Sequence, residues 1–350
     1  MSQSVPQERI RIFNRERYPI AEFRASVERS WALGDEGRAQ FSYPSRKTDI
    51  VNQKVLQYGN YILVESTALP PWVGVIDTPR EWSAQKVTVK AYSPEKIFSW
   101  RRGPLERVFT NTPAGSLFEY LVNLVNAAQP TALKLGNVWK GGQPRQETFN
   151  PNPLSEELRR IQERSLEDYT FRPLVEADGR LTIFADWYLR VGFDYDVLLH
   201  QGRHGGNIET VDRIMIEDGD IANDILGYGE GITWVSKPAS IIVDPPSIQT
   251  YGLRQSSISY DGVTTVNGVS NNLVEEISNT KNPVNRFEIN AINVGDTFKY
   301  VGIGNSLKLQ LQNVGFQNGS IGYQARVRII GMSYNPENAK NKIKLIVEEV

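Results

Sequence analysis

From Tyr323 the chain reads YQARVRIIGMSY, and Ala325, Val327 and Ile329 alternate there with Gln324, Arg326 and Arg328. A period of two sends one row to a core and the other to water, as in a half-buried strand. Ile343, Leu345 and Val347 repeat the pattern against Lys344 and Glu348. Between the two runs Asn335, Pro336, Asn338 and Asn341 supply turn chemistry, because proline fixes φ and asparagine tolerates the left-handed region. The spacing predicts a closing hairpin of a β-barrel or sandwich.

Residues 9–100 carry the same period. Phe23, Ala25, Val27 and Trp31 alternate with Glu22, Arg24, Ser26, Glu28 and Ser30, and 35–37 marks a turn before Ala39, Phe41 and Tyr43. Tyr61 and Leu63 pair in pattern with Val73 and Val75 across the Leu69-Pro70-Pro71 breaker, and Val87, Val89 and Ala91 continue. Five or six short strands at this spacing predict a closed barrel.

Near residue 113 the period changes. Ser116 and Glu119 form an S-x-x-E capping box, and Leu117, Tyr120, Leu121, Leu124, Val125 and Ala128 follow at helical spacing up to Pro130. Leu154, Leu158 and Ile161 predict a second helix over about 154–164, while 133–139 and 170–189 read as strands. The fold class expected is therefore mainly β with an α+β insertion: a first antiparallel barrel over 1–108, the insertion over 109–205, and a second barrel over 206–350. In the last part Thr210–Ile216 reads as a strand and 220–226 as a short helix. The stretch 235–283, rich in Ser, Asn, Thr, Gly and Pro, reads as an excursion with hairpin pieces rather than a compact core.

Length and composition allow two or three cores without covalent staples. The absence of cysteine excludes disulfides, thiolate zinc sites and thiol nucleophiles. With 39 basic and 40 acidic residues, no global field draws the chain to nucleic acid or an anionic bilayer. The N-terminus lacks a signal-like apolar core, and no stretch approaches the ~20 apolar residues of a membrane helix, so the expectation is a soluble protein without an export address.

Few residues suggest catalysis. His200 and His204 stand four apart with Asp194 and Asp196 just before them, a spacing that binds zinc on a helix. The glycines of LLHQGRHGGN break such a helix, so a loop beside a domain boundary is expected instead. Gly227, Gly229 and Gly231 form a GxGxG run, but Ile232–Val235 reads on as strand where a dinucleotide loop needs a helix, and tight backbone approach is the simpler reading. Asp186, Asp194, Asp196, Glu275 and Glu276 are candidates for a glycosidase pair, with solvated turns as the ordinary alternative. No GxSxG elbow singles out a serine.

Trp72, Trp82, Trp100, Trp139, Trp187 and Trp234 are expected mostly in cores, with Trp72, next to two prolines, as the one suited to a subunit contact. Arg101, Arg102, Arg107, Arg326 and Arg328 could line a basic surface or the wet side of a sheet.

The ending described above, preceded by NRFEINAINVGDTF at 285–298, resembles the C-terminal part of the tail hub proteins of tailed bacteriophages. GNYILVESTALPPWVGVIDTPREW at 59–82 and KVTVKAYSPEKIFSWRR at 86–102 resemble the first barrel of that family, and IETVDRIMIEDGDIANDILGYG at 208–229 resembles the approach to its second. The resemblance implies two tube-type barrels per chain and a homotrimeric ring of pseudo-sixfold symmetry that adapts a sixfold tail tube to a threefold tip. It implies as partners a distal tail or tail tube protein, the C-terminus of the tape measure protein, and a tail tip, spike or fibre protein, with DNA only in passage through the lumen and no membrane insertion. The expected place is the virion tail, assembled in the host cytoplasm. The resemblance assigns no catalytic, cofactor-binding or metal residue and no cofactor. The chain stops at Val350, directly after a barrel strand, so a minimal hub is expected. A virion-associated enzyme, a carbohydrate- or receptor-binding tip protein, and the related spike base of a contractile injection machine are the alternatives.

Overall fold

The computed structural model describes residues 8–47, 54–77, 80–202, 205–317, 320–336 and 342–350. The first strands are β1 (Glu8–Phe13), β2 (Pro19–Ala25), β3 (Val27–Ala32), β4 (Arg38–Pro44), β5 (Tyr61–Glu65), β6 (Trp72–Ile76), β7 (Glu81–Trp82) and β8 (Lys86–Tyr92). Pairing runs β2-β1-β5-β6-β8-β4-β3, all antiparallel. Because β2 continues into β3 through Ser26, the ring closes on itself. The single strand expected over 23–31 is thus one chain segment that changes neighbours at Ser26, while Ala25 and Val27 both stay buried.

Ile10, Ile12, Phe41, Ile62, Val64, Trp72, Val87 and Val89 fill this barrel. The other faces of β5 and β6, with Tyr61, Leu63, Val73 and Val75, join a second core built with the insertion. These strands therefore read as apolar runs instead of alternating, because neither face meets water. After β8 the strand reading fails: α1 (Glu95–Ser99) buries the adjacent Ile97 and Phe98, which one strand face cannot hold together.

The insertion comprises β9 (Arg107–Thr112), α2 (Ala114–Ala128), β10 (Leu133–Val138), β11 (Arg145–Phe149), α3 (Leu154–Ser165), β12 (Asp168–Val175) and β13 (Leu181–Tyr188). A sheet in the order β10-β13-β12 and a β9-β11 ribbon pack with both helices. Leu117, Leu121 and Val125 of α2 and Leu154, Leu158 and Ile161 of α3 are buried, as their spacing predicts. The expected capping box is not the cap. Pro113 holds the N-cap position in extended conformation with no side-chain bond, and Ser116 lies inside the helix.

The rest of the chain forms β14 (Asp194–His200), β15 (Ile208–Asp218), β16 (Asp224–Tyr228), β17 (Ala239–Val243), α4 (Pro245–Tyr251), β18 (Gln255–Ser259), α5 (Val266–Thr280), β19 (Val284–Ile292), β20 (Ser306–Gln317), β21 (Ser320–Tyr334) and β22 (Lys342–Glu349). A second barrel runs β15-β19-β22-β21-β20-β14 around Phe287, Ile289, Leu307, Leu309, Val327, Ile329, Leu345 and Val347. Its last pair, β14 with β20, is parallel. Asp194–His200 was expected in the insertion, yet it supplies Leu199 to this second core, because a single strand there completes the ring. Asn207 ties β14 to β15: its side-chain amide donates to Leu198 O (2.9 Å) and its Oδ1 accepts from the His200 amide (2.8 Å).

Three local expectations are corrected. Residues 220–226 are not helical, since Asp224–Tyr228 is the central strand of the small sheet β17-β16-β18. A 3-10 turn occupies Trp234–Ser236 where strand was expected. The 235–283 excursion has a compact core of its own, with Ile225, Tyr260, Val263, Val269, Leu273 and Ile277 buried between that sheet and α5. Its polar composition hid a helix that needs only one apolar stripe, Val269, Leu273 and Ile277.

Candidate assembly surface

The two barrels meet where β3 pairs with β21, matching Ala32, Trp31, Ser30 and Arg29 to Gly331, Met332, Ser333 and Tyr334. This makes one continuous layer, β15-β19-β22-β21-β3-β4-β8, across both barrels. Beneath the seam Arg29 is fully buried. Its guanidinium donates to Glu8 Oε1 (2.6 Å) and pairs with Oε2, and it lies 5.1 Å from the Trp31 ring and 5.4 Å from the Tyr334 ring. Trp31 and Tyr334 come from different barrels, so one cation is sandwiched between them. Arg29 sits on the apolar row of the alternation, with Val27 and Trp31, and that phase is the sequence signal that marks it as buried.

The outer face of the layer is polar. A groove of about 630 Å³ crosses the seam, lined by Ser30, Arg38, Lys90, Ser333, Lys342 and Lys344 among others. Most of its ammonium groups face carboxylates: Lys90 with Glu81 (2.6 Å), Lys342 with Glu209 (2.5 Å) and Lys344 with Glu288 (2.6 Å). The hydrogen bond it donates to Glu288 is the main reason the Lys344 ammonium titrates above the ordinary lysine range. Exposed pairs of this kind add little stability, so their effect is to leave a nearly neutral polar surface.

The sequence candidates are spread over separate elements. His200 ends β14, and His204 lies outside the described residues. Asp194 pairs with Arg326 (3.6 Å), and Asp196 with Lys308 (2.5 Å), whose hydrogen bond lowers the Asp196 pKa. Asp186 is fully buried on β13 and accepts from Arg172 Nε (2.5 Å) and the Asn137 amide (2.7 Å). Glu275 pairs with the buried Arg145, and burial pushes its carboxyl up to about 7; burial also raises Glu276. Four of the five carboxylates thus face a cation instead of one another.

Trp72 is 2 % exposed and its indole donates to Ser30 O (3.0 Å), so it underpins the seam and cannot be a subunit contact in this fold. Trp187 is buried as expected, but Trp82 and Trp139 are 58 % and 42 % exposed. The glycine run serves close packing: a Cβ on Gly229 would stand 2.0 Å from Val263 O, and one on Gly227 2.9 Å from the Leu273 side chain. The arginines form no free row. Arg328 reaches Asp168, Val191 O (2.9 Å) and Gly304 O (3.0 Å), Arg101 donates to Val125 O (3.1 Å), and Arg107 lies over Phe109 and Tyr120.

No protein-family model matches the sequence, and no curated protein sequence does. Solved structures do match in fold. A prophage tail protein, gp18, from Listeria monocytogenes EGD-e has a TM-score of 0.61 at 12% identity, over 97% of this chain and 94% of its own. The 43 kDa tail protein of prophage MuSo2 from Shewanella oneidensis gives 0.60 at 12% identity, over 97% and 98%. A type VI secretion component of E. coli, described as similar to the T4 bacteriophage tail proteins gp27 and gp5, gives 0.50 at 12% identity, over 100% and 75%. The chain has the mainly β fold of phage tail proteins and of the type VI component that resembles gp27 and gp5.

Proposed function

We propose that this chain is a structural protein of a virion tail, the homotrimeric hub that adapts a sixfold tube to a threefold tip. The observation that carries this reading is the joining of two barrels in one polypeptide through β3 and β21. Two like modules per chain let three copies present six positions, and a head-to-tail contact repeated round a closed ring generates that arrangement. Barrel closure removes most free strand edges within each module, which leaves side chains to mediate assembly.

In this reading the polar layer spanning both barrels faces the lumen. Its paired charges suit a channel that DNA and the tape measure protein traverse, since an unpaired basic lining would bind phosphates and stall passage. A tail tube or distal tail protein above and a tip, spike or fibre protein below are the remaining partners, and the virion tail, assembled in the host cytoplasm, is the site of action. We assign no catalytic role. The domain division proposed is a first barrel to about residue 108, an insertion, and a second barrel interrupted by the 222–283 unit.

The test is the mass of the purified chain and of the hub position in assembled particles, by native mass spectrometry. Three copies support the proposal. A stable monomer that turns over a glycan or peptide substrate would replace it with a tip enzyme.

A further inference from the structure

The 222–283 unit has a core separate from that of the insertion against which it rests. It leaves and rejoins the second barrel at neighbouring points, where the Ala222 amide donates to Thr280 O (3.0 Å). One of the two crossings carries Glu217 and Gly219 at φ of 55° and 111°. The contact with the insertion is carried by hydrogen bonds and an ion pair, with the Arg164 guanidinium over the Tyr260 ring (5.5 Å). Gln146 Nε2 donates to Gly262 O (3.0 Å), Asn271 Nδ2 to Pro144 O (3.0 Å) and Asn279 Nδ2 to Glu163 O (3.3 Å), beside the Arg145–Glu275 pair.

This contact buries polar atoms that have no hydrogen-bond partner among the described residues: Arg145 Nε and Nη1, Thr148 Oγ1, the Tyr260 hydroxyl and both side-chain polar atoms of Asn272. Buried polar groups left unpaired weaken the contact that buries them. Charge weakens it further. From the arm, α5 brings Glu275 and Glu276; from the insertion, β11 brings Glu147 and the loop after α3 brings Glu167. Among the described residues three guanidinium groups oppose these four carboxylates, Arg145 on β11 and Arg160 and Arg164 on α3, and Arg160 is shared with Glu157 of its own helix. Glu163 on α3 is solvated and paired with Arg159, and Asp261 beside Tyr260 is exposed.

We propose that the 222–283 unit is an arm that docks on the insertion and leaves it as a body, hinged at its two chain crossings and released by charge repulsion within the contact. Burial raises the pKa of Glu275 and Glu276 on the arm, with Glu275 reaching about 7. The docked form therefore holds protons that the released form gives up. Docking is strongest below the ordinary carboxylate range and weakens as pH rises through about 7. This inference does not depend on the hub reading.

The chain contains no cysteine, so two can be introduced cleanly for spin labels. Arg159→Cys on α3 and Ser278→Cys on α5, both at exposed positions, report the separation of insertion and arm in the full-length protein. At pH 5.5 one short distance is expected. At pH 8.5 a second, longer distance appears, with the open-to-docked ratio raised at least about threefold, less than the tenfold per unit of one fully linked proton. Glu276→Gln, which removes excess charge without breaking an ion pair, lowers that ratio at pH 8.5, and Arg164→Gln raises it. A single distance unchanged by pH and by either variant overturns the proposal, and so does the reverse order of the variants.

Discussion

Replacing Glu8 by leucine tests whether the ion pair beneath the seam is a bolt between the barrels. Glu8 is 6 % exposed and Arg29 1 %, and the guanidinium has no other carboxylate partner among the described residues. Glu8→Leu strands that charge in a protein interior, which costs about 3–5 kcal/mol when one member of a buried pair is removed. The Trp31 and Tyr334 rings return part of this, about 1 kcal/mol for a cation over an aromatic face. The net expected loss is about 2–4 kcal/mol. Glu8→Leu with Arg29→Met replaces both charges by apolar groups of similar volume, and the double variant should fall within about 1 kcal/mol of the parent or exceed it. The coupling between the sites is then about 2 kcal/mol or more. Urea unfolding followed by tryptophan fluorescence measures it, and for an m near 2 kcal/mol/M the single variant shifts the midpoint by about 1–2 M. If the double variant is as unstable as Glu8→Leu alone, the pair is not a compensated buried charge and the reasoning fails.

Three further substitutions bear on other joints. Tyr61→Phe removes the hydroxyl that accepts from the buried Ala132 amide (3.0 Å), leaving a donor unpaired between first barrel and insertion, and should lower stability by about 1–3 kcal/mol in the same urea assay. Gly229→Ala drives a methyl into the Val263 carbonyl and should cost at least about 1–3 kcal/mol; hydrogen exchange of α5 amides should accelerate while that of β1 stays unchanged. Burial pushes Glu95 up to about 7 from 4.5, so its contribution favours the fold below pH 4.5 and is lost as pH rises through 7. Thermal unfolding between pH 5 and 8 should show a fall of about 1–2 kcal/mol, discounted because part of the residue meets solvent, and Glu95→Gln should flatten it.

Alternation made the barrels legible wherever one strand face meets water. The closing hairpin of β21 and β22 follows from Ala325, Val327 and Ile329 against Ile343, Leu345 and Val347, all phases that the structure keeps. Where a strand is covered on both sides, as β5 and β6 are, alternation vanishes and the fully apolar run has to be read from its breakers. The excursion failed for the opposite reason. Its helix α5 carries Asn, Ser and Glu toward a polar contact, so composition suggested a loop while three residues at helical spacing sufficed for a core. The strand β14 misled because membership of a barrel depends on a parallel partner more than a hundred residues away, Ser306–Gln310, which no local pattern records. For the site, alternation phase betrayed Arg29, but Glu8 is distant in sequence and only closure of the first barrel brings the two together.

The positions of these joints bear on how a two-module chain holds a fixed angle. The β3–β21 seam matches only a short run of residues, and a short antiparallel pair twists readily about its own axis. A second tie lies further along the same strand, where Arg328 of β21 reaches Asp168 and Val191 O of the insertion, and Arg190 donates to Ser306 (2.8 Å). The insertion is itself fused to the first barrel through the shared core around Tyr61, Leu63 and Val75. Seam and insertion therefore form two legs of a triangle whose third side is the second barrel, and a triangle resists the twist that a seam alone permits. The ring proposed above would need this, because an angular error within the chain would recur at every repeat and turn a ring into an open helix. In that reading the insertion is the brace that sets the angle between the barrels, with charged ties against the second barrel and apolar surface against the first.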